Sequence, residues 1–210
     1  MLNLNDFAKE VHRVAVEHGW YDGQETRSTD EIIALIHSEW SEALEEYRAG
    51  RPMLWHECMN CHEPCMEDGC GDWYDGECAL GELAKKPEGI MIELIDGCIR
   101  ILDFIGYKRW TIPEIFDTID KLMECAKLLH DEWLYVQSKD MILPALVRWL
   151  HWYTAEYEMT KDTYDPTTLL AAVGIAFLWI KTHGGEPEDL LRMKHEYNKA
   201  RPYKHGGKRC

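Results

Sequence analysis

Glu93-Leu-Ile-Asp-Gly-Cys-Ile-Arg-Ile-Leu-Asp-Phe-Ile105 decides the fold. Leu94, Ile95, Cys98, Ile99, Leu102 and Ile105 cover more than half the girth of a helix, and a helix that apolar belongs inside a bundle. Its remaining strip carries Glu93, Asp96, Arg100 and Asp103, charged groups that must face something. A second segment answers it: Ile33-Ala-Leu-Ile-His-Ser-Glu-Trp-Ser-Glu-Ala-Leu-Glu-Glu-Tyr-Arg48 puts Glu39, Glu42 and Glu46 along one flank of an apolar stripe. Acids three residues apart project from one helical face. Glu39, Glu42, Glu93 and Asp96 on two facing helices make an oxygen-only nest suited to Mg²⁺, or to Mn²⁺.

Working outward, the periodicity predicts an all-α chain. A first helix spans about Asn5 to His18, with Phe7, Val11, Val14 and Ala15 on one face. Ser28-Thr-Asp-Glu31 resembles a capping box that opens the second helix, which stops at Ala49-Gly50. Gly, Pro, Asp and Cys dominate 52–87, where no periodic element is expected, and no strand pattern appears anywhere. The third helix runs from about Glu88 to Ile105 and ends at Gly106. Further helices follow at about Pro113–Val136, Ile142–Glu158, Thr167–Thr182 and Glu188–Lys199, before a coil tail.

Leu35-Ile-His-Ser-Glu-Trp40 recurs as Leu128-Leu-His-Asp-Glu-Trp133, and an apolar helix ending in a Gly turn recurs between Gly97–Gly106 and Gly174–Gly184. These echoes suggest a degenerate tandem repeat. The units are then 1–110 with the Cys-rich insert, 111–187 as a second helical unit without the carboxylates, and 188–210 as a last helix with a basic tail.

The formal net charge of −15 speaks against a protein that coats nucleic acid, so no stable nucleic-acid binding is expected. It does not oppose anionic ligands that arrive with a divalent cation. No apolar run approaches the length that spans a bilayer, and the N-terminus lacks a basic and apolar leader. A cytoplasmic location is the default expectation. Five of eight cysteines crowd between Cys58 and Cys78; Cys58, Cys61, Cys65 and Cys70 offer a ligand set for one structural Zn²⁺. Disulfides, an iron–sulfur cluster and free thiols are the rival readings of the same cluster.

The Glu39-x-x-Glu42 and Glu93-x-x-Asp96 pairs, Ile33–Arg48, Glu93–Ile105, Gly19-Trp20 and the tail Glu196-Tyr-Asn-Lys-Ala-Arg-Pro-Tyr-Lys-His-Gly-Gly-Lys208 resemble the MazG-like, all-α nucleotide pyrophosphohydrolases, relatives of the dimeric dUTPases. The resemblance covers about the first half and the last twenty residues. The Cys-rich insert and the helices between about Trp110 and Lys181 depart from it. It implies an enzyme that hydrolyses a nucleoside triphosphate to monophosphate and pyrophosphate with Mg²⁺, in nucleotide-pool control, and that forms a homo-oligomer, most simply a dimer. Glu39, Glu42, Glu93 and Asp96 would then be the metal ligands, with a glutamate of the second helix serving the attacking water. Arg201, Lys204 and Lys208, in a tail whose charge reverses that of the chain, would meet phosphates. Tyr197 and Asn198 meet the nucleotide or anchor the last helix, and Trp20 stacks on a base or belongs to the core. The alternative from a different class is a non-catalytic, zinc-stabilised helical module that recruits a partner or senses nucleotide.

Overall fold

The computed structural model describes residues 2–22, 27–58, 73–74, 77–78, 85–128, 142–160 and 165–206. The chain is mostly helical, as the periodicity predicts: α1 (Leu4–Glu17), α2 (Thr29–Arg48), α3 (Ile90–Lys108), α4 (Ile119–Leu128), α5 (Leu143–Thr160), α6 (Thr167–Thr182) and α7 (Pro187–Ala200). Two of these are buried over most of their girth, α3 apart from its one charged strip. Ile92, Leu94, Ile95, Ile101, Leu102 and Phe104 of α3 are fully buried. In α6 every residue from Leu169 to Ile180 is buried. Helices so largely apolar must be covered, so amphipathic neighbours wrap them. Helices α1 and α2 pack on α3, α4 and α5 pack on α6, and the two groups meet through α2 against α5 and α3 against α6. Helix α7 lies on α3. No helix among the described residues is long and apolar enough to cross a membrane.

The α2–α3 contact depends on one close approach. A Cβ at Gly97 would sit 2.2 Å from the fully buried Trp40 ring, so only glycine lets the indole lie on α3. Trp40 Nε1 donates to Thr154 Oγ1 at 3.0 Å, and that hydroxyl donates in turn to the Leu150 carbonyl. The buried polar atoms are thus satisfied while α2 is tied to α5. Gly174 plays the same part on α6, where a Cβ would meet the Leu122 carbonyl of α4 at 2.8 Å.

Several local expectations are corrected. The stretch 52–87 is not free of regular structure: β1 (Trp55–Cys58) pairs antiparallel with β4 (Lys85–Glu88), and β2 (Trp73–Tyr74) with β3 (Glu77–Cys78). Lys85-Lys-Pro-Glu88 shows no apolar alternation, because what pairs it with β1 is the fixed position of the chain ends at α2 and α3. The Met91 N–H donates to the Met53 carbonyl, closing that stem. Ser28 does occupy the N-cap of α2, but its side chain makes no capping hydrogen bond. Gly106 does not stop α3, which runs on to Lys108 and turns at Arg109 (φ 56°). Its missing side chain instead admits α1, since a Cβ there would lie 2.6 Å from the Ala8 carbonyl. The expected helix over Pro113–Val136 is a 3₁₀ turn at Glu114–Phe116 followed by α4, and the echo at 128–133 extends outside the described residues.

Candidate metal centre

Helices α2 and α3 deliver the acids together. Glu39, Glu42 and Glu93 each offer a carboxylate oxygen, and these oxygens lie within 4.8 Å of one another. Glu39 and Glu93 are buried, while Glu42 is exposed at the rim and accepts from Ser38 Oγ at 3.1 Å. Asp96, one turn along α3 from Glu93, joins them through a buried cation: Lys194 Nζ of α7 lies 2.8 Å from its Oδ2. Arg100, a cation on the charged strip of α3, donates from Nε to Glu39 Oε1 at 2.8 Å.

The electrostatics follow from burial and like charge. Desolvation first, then Asp96 and Glu39, push the Glu93 carboxyl up to about 8, against the pull of Lys194. Glu39 is raised for the same first reason, with Arg100 opposing. For Lys194, burial alone would favour the neutral amine, but Asp96 and Glu93 outweigh it and hold the ammonium charged. An oxygen-only donor set of this sign suits a hard divalent cation.

The acids open into a cleft of about 310 Å³ walled by α1, α2, α3, α7 and β4. Trp20, Asn198 and Arg201 reach its wall, in keeping with their proposed contact with a ligand. Among the described residues Tyr197 and Lys204 do not. The Tyr197 ring lies under both Lys194 (5.8 Å) and Arg201 (5.6 Å), a support for the two cations. Lys204 turns back with φ 47°, and its N–H donates to the His18 carbonyl. Lys208, Cys61, Cys65 and Cys70 lie outside the described residues; Cys58 ends β1.

Sequence reasoning missed three parts of this cleft. Lys86 enters it from β4, beside Glu88 and with Glu57 at 3.7 Å. Asp103 is clamped by His12 Nδ1 and Tyr21 Oη, each at 2.8 Å, with the Tyr107 ring stacked on Tyr21. Arg27 is 4% exposed, and its backbone N–H donates to Tyr107 Oη. Asp103 had a signal, its place on the polar strip of α3; Lys86 and Arg27 had none. Glu46, read as a third acid of the band, instead accepts from Trp55 Nε1 at 2.8 Å and anchors the β1–β4 arm.

No family model, curated protein or solved structure matches this chain.

Proposed function

We propose that the chain is a Mg²⁺-dependent nucleotide pyrophosphohydrolase of the MazG-like kind, converting an NTP or dNTP and water to a monophosphate and pyrophosphate. The observation that carries this reading is the convergence of carboxylate oxygens of Glu39, Glu42 and Glu93 within 4.8 Å of one another in a cleft of about 310 Å³. Glu39, Glu42, Glu93 and Asp96 would hold Mg²⁺ or Mn²⁺, which neutralises phosphate oxygens and lowers the pKa of a bound water. Water oxygen attacks the α-phosphorus, the bond to the bridging α–β oxygen breaks, and pyrophosphate leaves with the electron pair. Glu42, at the rim with Ser38 as its hydrogen-bond partner, is better placed than Glu39 to take the water's proton. Glu39 is committed to Arg100, whose charge also compensates the nest. Arg201 and Asn198 meet the phosphates from α7, and Trp20 offers its face to the base.

The same reading extends to the architecture. The α1–α2–α3 and α4–α5–α6 groups are compatible with a degenerate tandem repeat, and α2 meets α5 where His37 Nδ1 lies 2.7 Å from His151 Nδ1 and Trp40 bonds Thr154. In the echo of Leu35–Trp40 at 128–133, Glu39 corresponds to Glu132 and Glu42 to Tyr135. Gly97 against Gly174 sets Glu93 and Asp96 opposite Leu170 and Val173. The second unit keeps one acid of four, so one nest per chain is proposed. A fused second unit would stand in for a subunit of the shorter family members, and a homodimer of this chain remains the proposed assembly. A structural Zn²⁺ on the cysteine cluster and a cytoplasmic, pool-cleaning role complete the proposal.

The deciding experiment is a screen of NTPs and dNTPs, dUTP and oxidised bases included, with pyrophosphate readout and Mg²⁺ titration. Release that disappears in Glu39→Gln and Asp96→Asn, with circular dichroism unchanged, supports it. No release from any nucleotide by the wild type would favour the non-catalytic binding module instead.

A further inference from the structure

Three cations line the cleft: Lys194 on α7, Arg201 at the C-cap of that helix, and Lys86 on β4, which packs against α7. Lys86 is a poor candidate for a solvated surface lysine. Its side chain is 29% exposed, and burial first, then the nearby Lys194 and Arg201, pull its ammonium below the usual range. Its described carboxylate partners, Glu57 and Glu88, both belong to the same β1–β4 arm. Among the described residues, its ion pairs are therefore made within the arm and not to the helical bundle. The arm has a stem that is rigid where it meets the helices: Gly89 (φ 107°) leaves no room for a Cβ, which would meet the Met53 and Pro52 carbonyls at 2.9 Å. Trp55 is pinned to Glu46 of α2, and the Met91 N–H to Met53.

Lys194 meets Asp96 and Lys86 meets Glu57 and Glu88, and three cations gathered in one half-buried cleft still favour the entry of an anionic ligand. The acids of α2 and α3 line the same cleft, with Lys194 directly on Asp96. A polyanion held at the acids by a divalent cation would leave outer oxygens within the same cleft, where Lys86 and Arg201 also stand.

We infer that Lys86, supplied by the Cys-rich arm, is a ligand for the pyrophosphate portion of the substrate, acting with Arg201 in the cleft that holds the carboxylate nest. This rests on the pyrophosphohydrolase reading for its substrate, though not for its anion chemistry. It makes the arm a working part of the site: β4 brings a binding residue that the helices alone do not provide. The compact ammonium of lysine suits a phosphate met end-on, where a guanidinium would require a planar two-point partner.

Inorganic pyrophosphate with Mg²⁺ is the probe, measured by calorimetry and as an inhibitor of turnover, on full-length protein. Lys86→Gln is expected to weaken Mg²⁺-dependent pyrophosphate binding about tenfold and to raise KM for the triphosphate by a like factor. Inhibition by the monophosphate product should stay unchanged and kcat should stay within a few-fold of wild type. Glu57→Gln removes an ion pair of the arm while keeping Lys86, and is expected to leave pyrophosphate binding equal or tighter; Lys86→Arg should recover part of the loss. If Lys86→Gln binds pyrophosphate like the wild type, or Glu57→Gln weakens it equally, Lys86 serves only the arm and the inference is overturned. Absence of Mg²⁺-dependent pyrophosphate binding by the wild type would overturn it too. A wild type that hydrolyses no nucleotide but binds pyrophosphate through Lys86 would refute the proposed reaction and leave this inference standing.

Discussion

Glu93 concentrates the chemistry of this chain in one side chain. It is buried beside Glu39 and Asp96, and its carboxyl sits up near pH 8 because water has been removed and like charges have not. Between the ordinary carboxylate range and about pH 8 the folded, metal-free protein therefore keeps a proton that the unfolded chain has released. Stability then falls as pH rises through that window. Thermal melts in EDTA should lose several degrees between pH 5 and pH 8, and Glu93→Gln, neutral throughout, should flatten that slope. The same substitution should cut pyrophosphate release by at least about 100-fold, since a ligand and its charge are lost together. A variant that is both more stable without metal and inactive is the signature expected of a functional acid, and retained turnover would remove Glu93 from the site.

Arg100 shows the reverse side of the same balance. Its hydrogen bond to Glu39 tempers a buried negative charge. Arg100→Met should raise the Mg²⁺ concentration needed for half-maximal activity and steepen the loss of metal-free stability as pH rises, both measurable on one purified sample. Sequence placed Arg100 on the right strip but left its partner open, because i+4 neighbours on its own helix compete with a residue sixty-one positions away that only packing brings near.

At the scale of elements, the nest depends on how closely α2 lies on α3. Gly97→Ala would drive a methyl into the Trp40 ring, costing roughly 1–3 kcal/mol and spreading the acids. Denaturant melts should show the loss, and Mg²⁺ affinity should fall with it, whereas Gly50→Ala, where a Cβ meets nothing, should cost only the strain of its φ of 66°. Thr154→Val should leave the buried Trp40 N–H without its acceptor, destabilising the α2–α5 contact by about 1–3 kcal/mol. The helices were legible because 3.6-residue periodicity survives in the amino-acid order. The β1–β4 arm was not legible, since Lys85-Lys-Pro-Glu88 pairs for reasons that lie outside it: Trp55 on Glu46, and Met91 on Met53. The role of Gly106 was misread for a similar reason. A glycine that ends a helix and a glycine that admits a neighbour look alike until the neighbour is in place.

For the whole molecule, one charged cleft joins four helices and a strand, so metal should act on global stability. Mg²⁺ added to metal-free protein at pH 8 is expected to raise the melting temperature in the wild type and to do so much less in Asp96→Asn, by fluorimetry at several Mg²⁺ concentrations. Equal stabilisation of both would show that the ion binds elsewhere. The amino-acid sequence by itself determined the helical class, the two acid-bearing strips and the opposed charge of the tail, because each is written in spacing along one helix or in local composition. Only the tertiary structure decided which charges meet. Lys194 on Asp96, Arg100 on Glu39, Asp103 between His12 and Tyr21, and Lys86 beside the α7 cations are all pairings across distant segments. Their energies depend on burial and on separations of a few ångströms, quantities that exist only once the helices have packed.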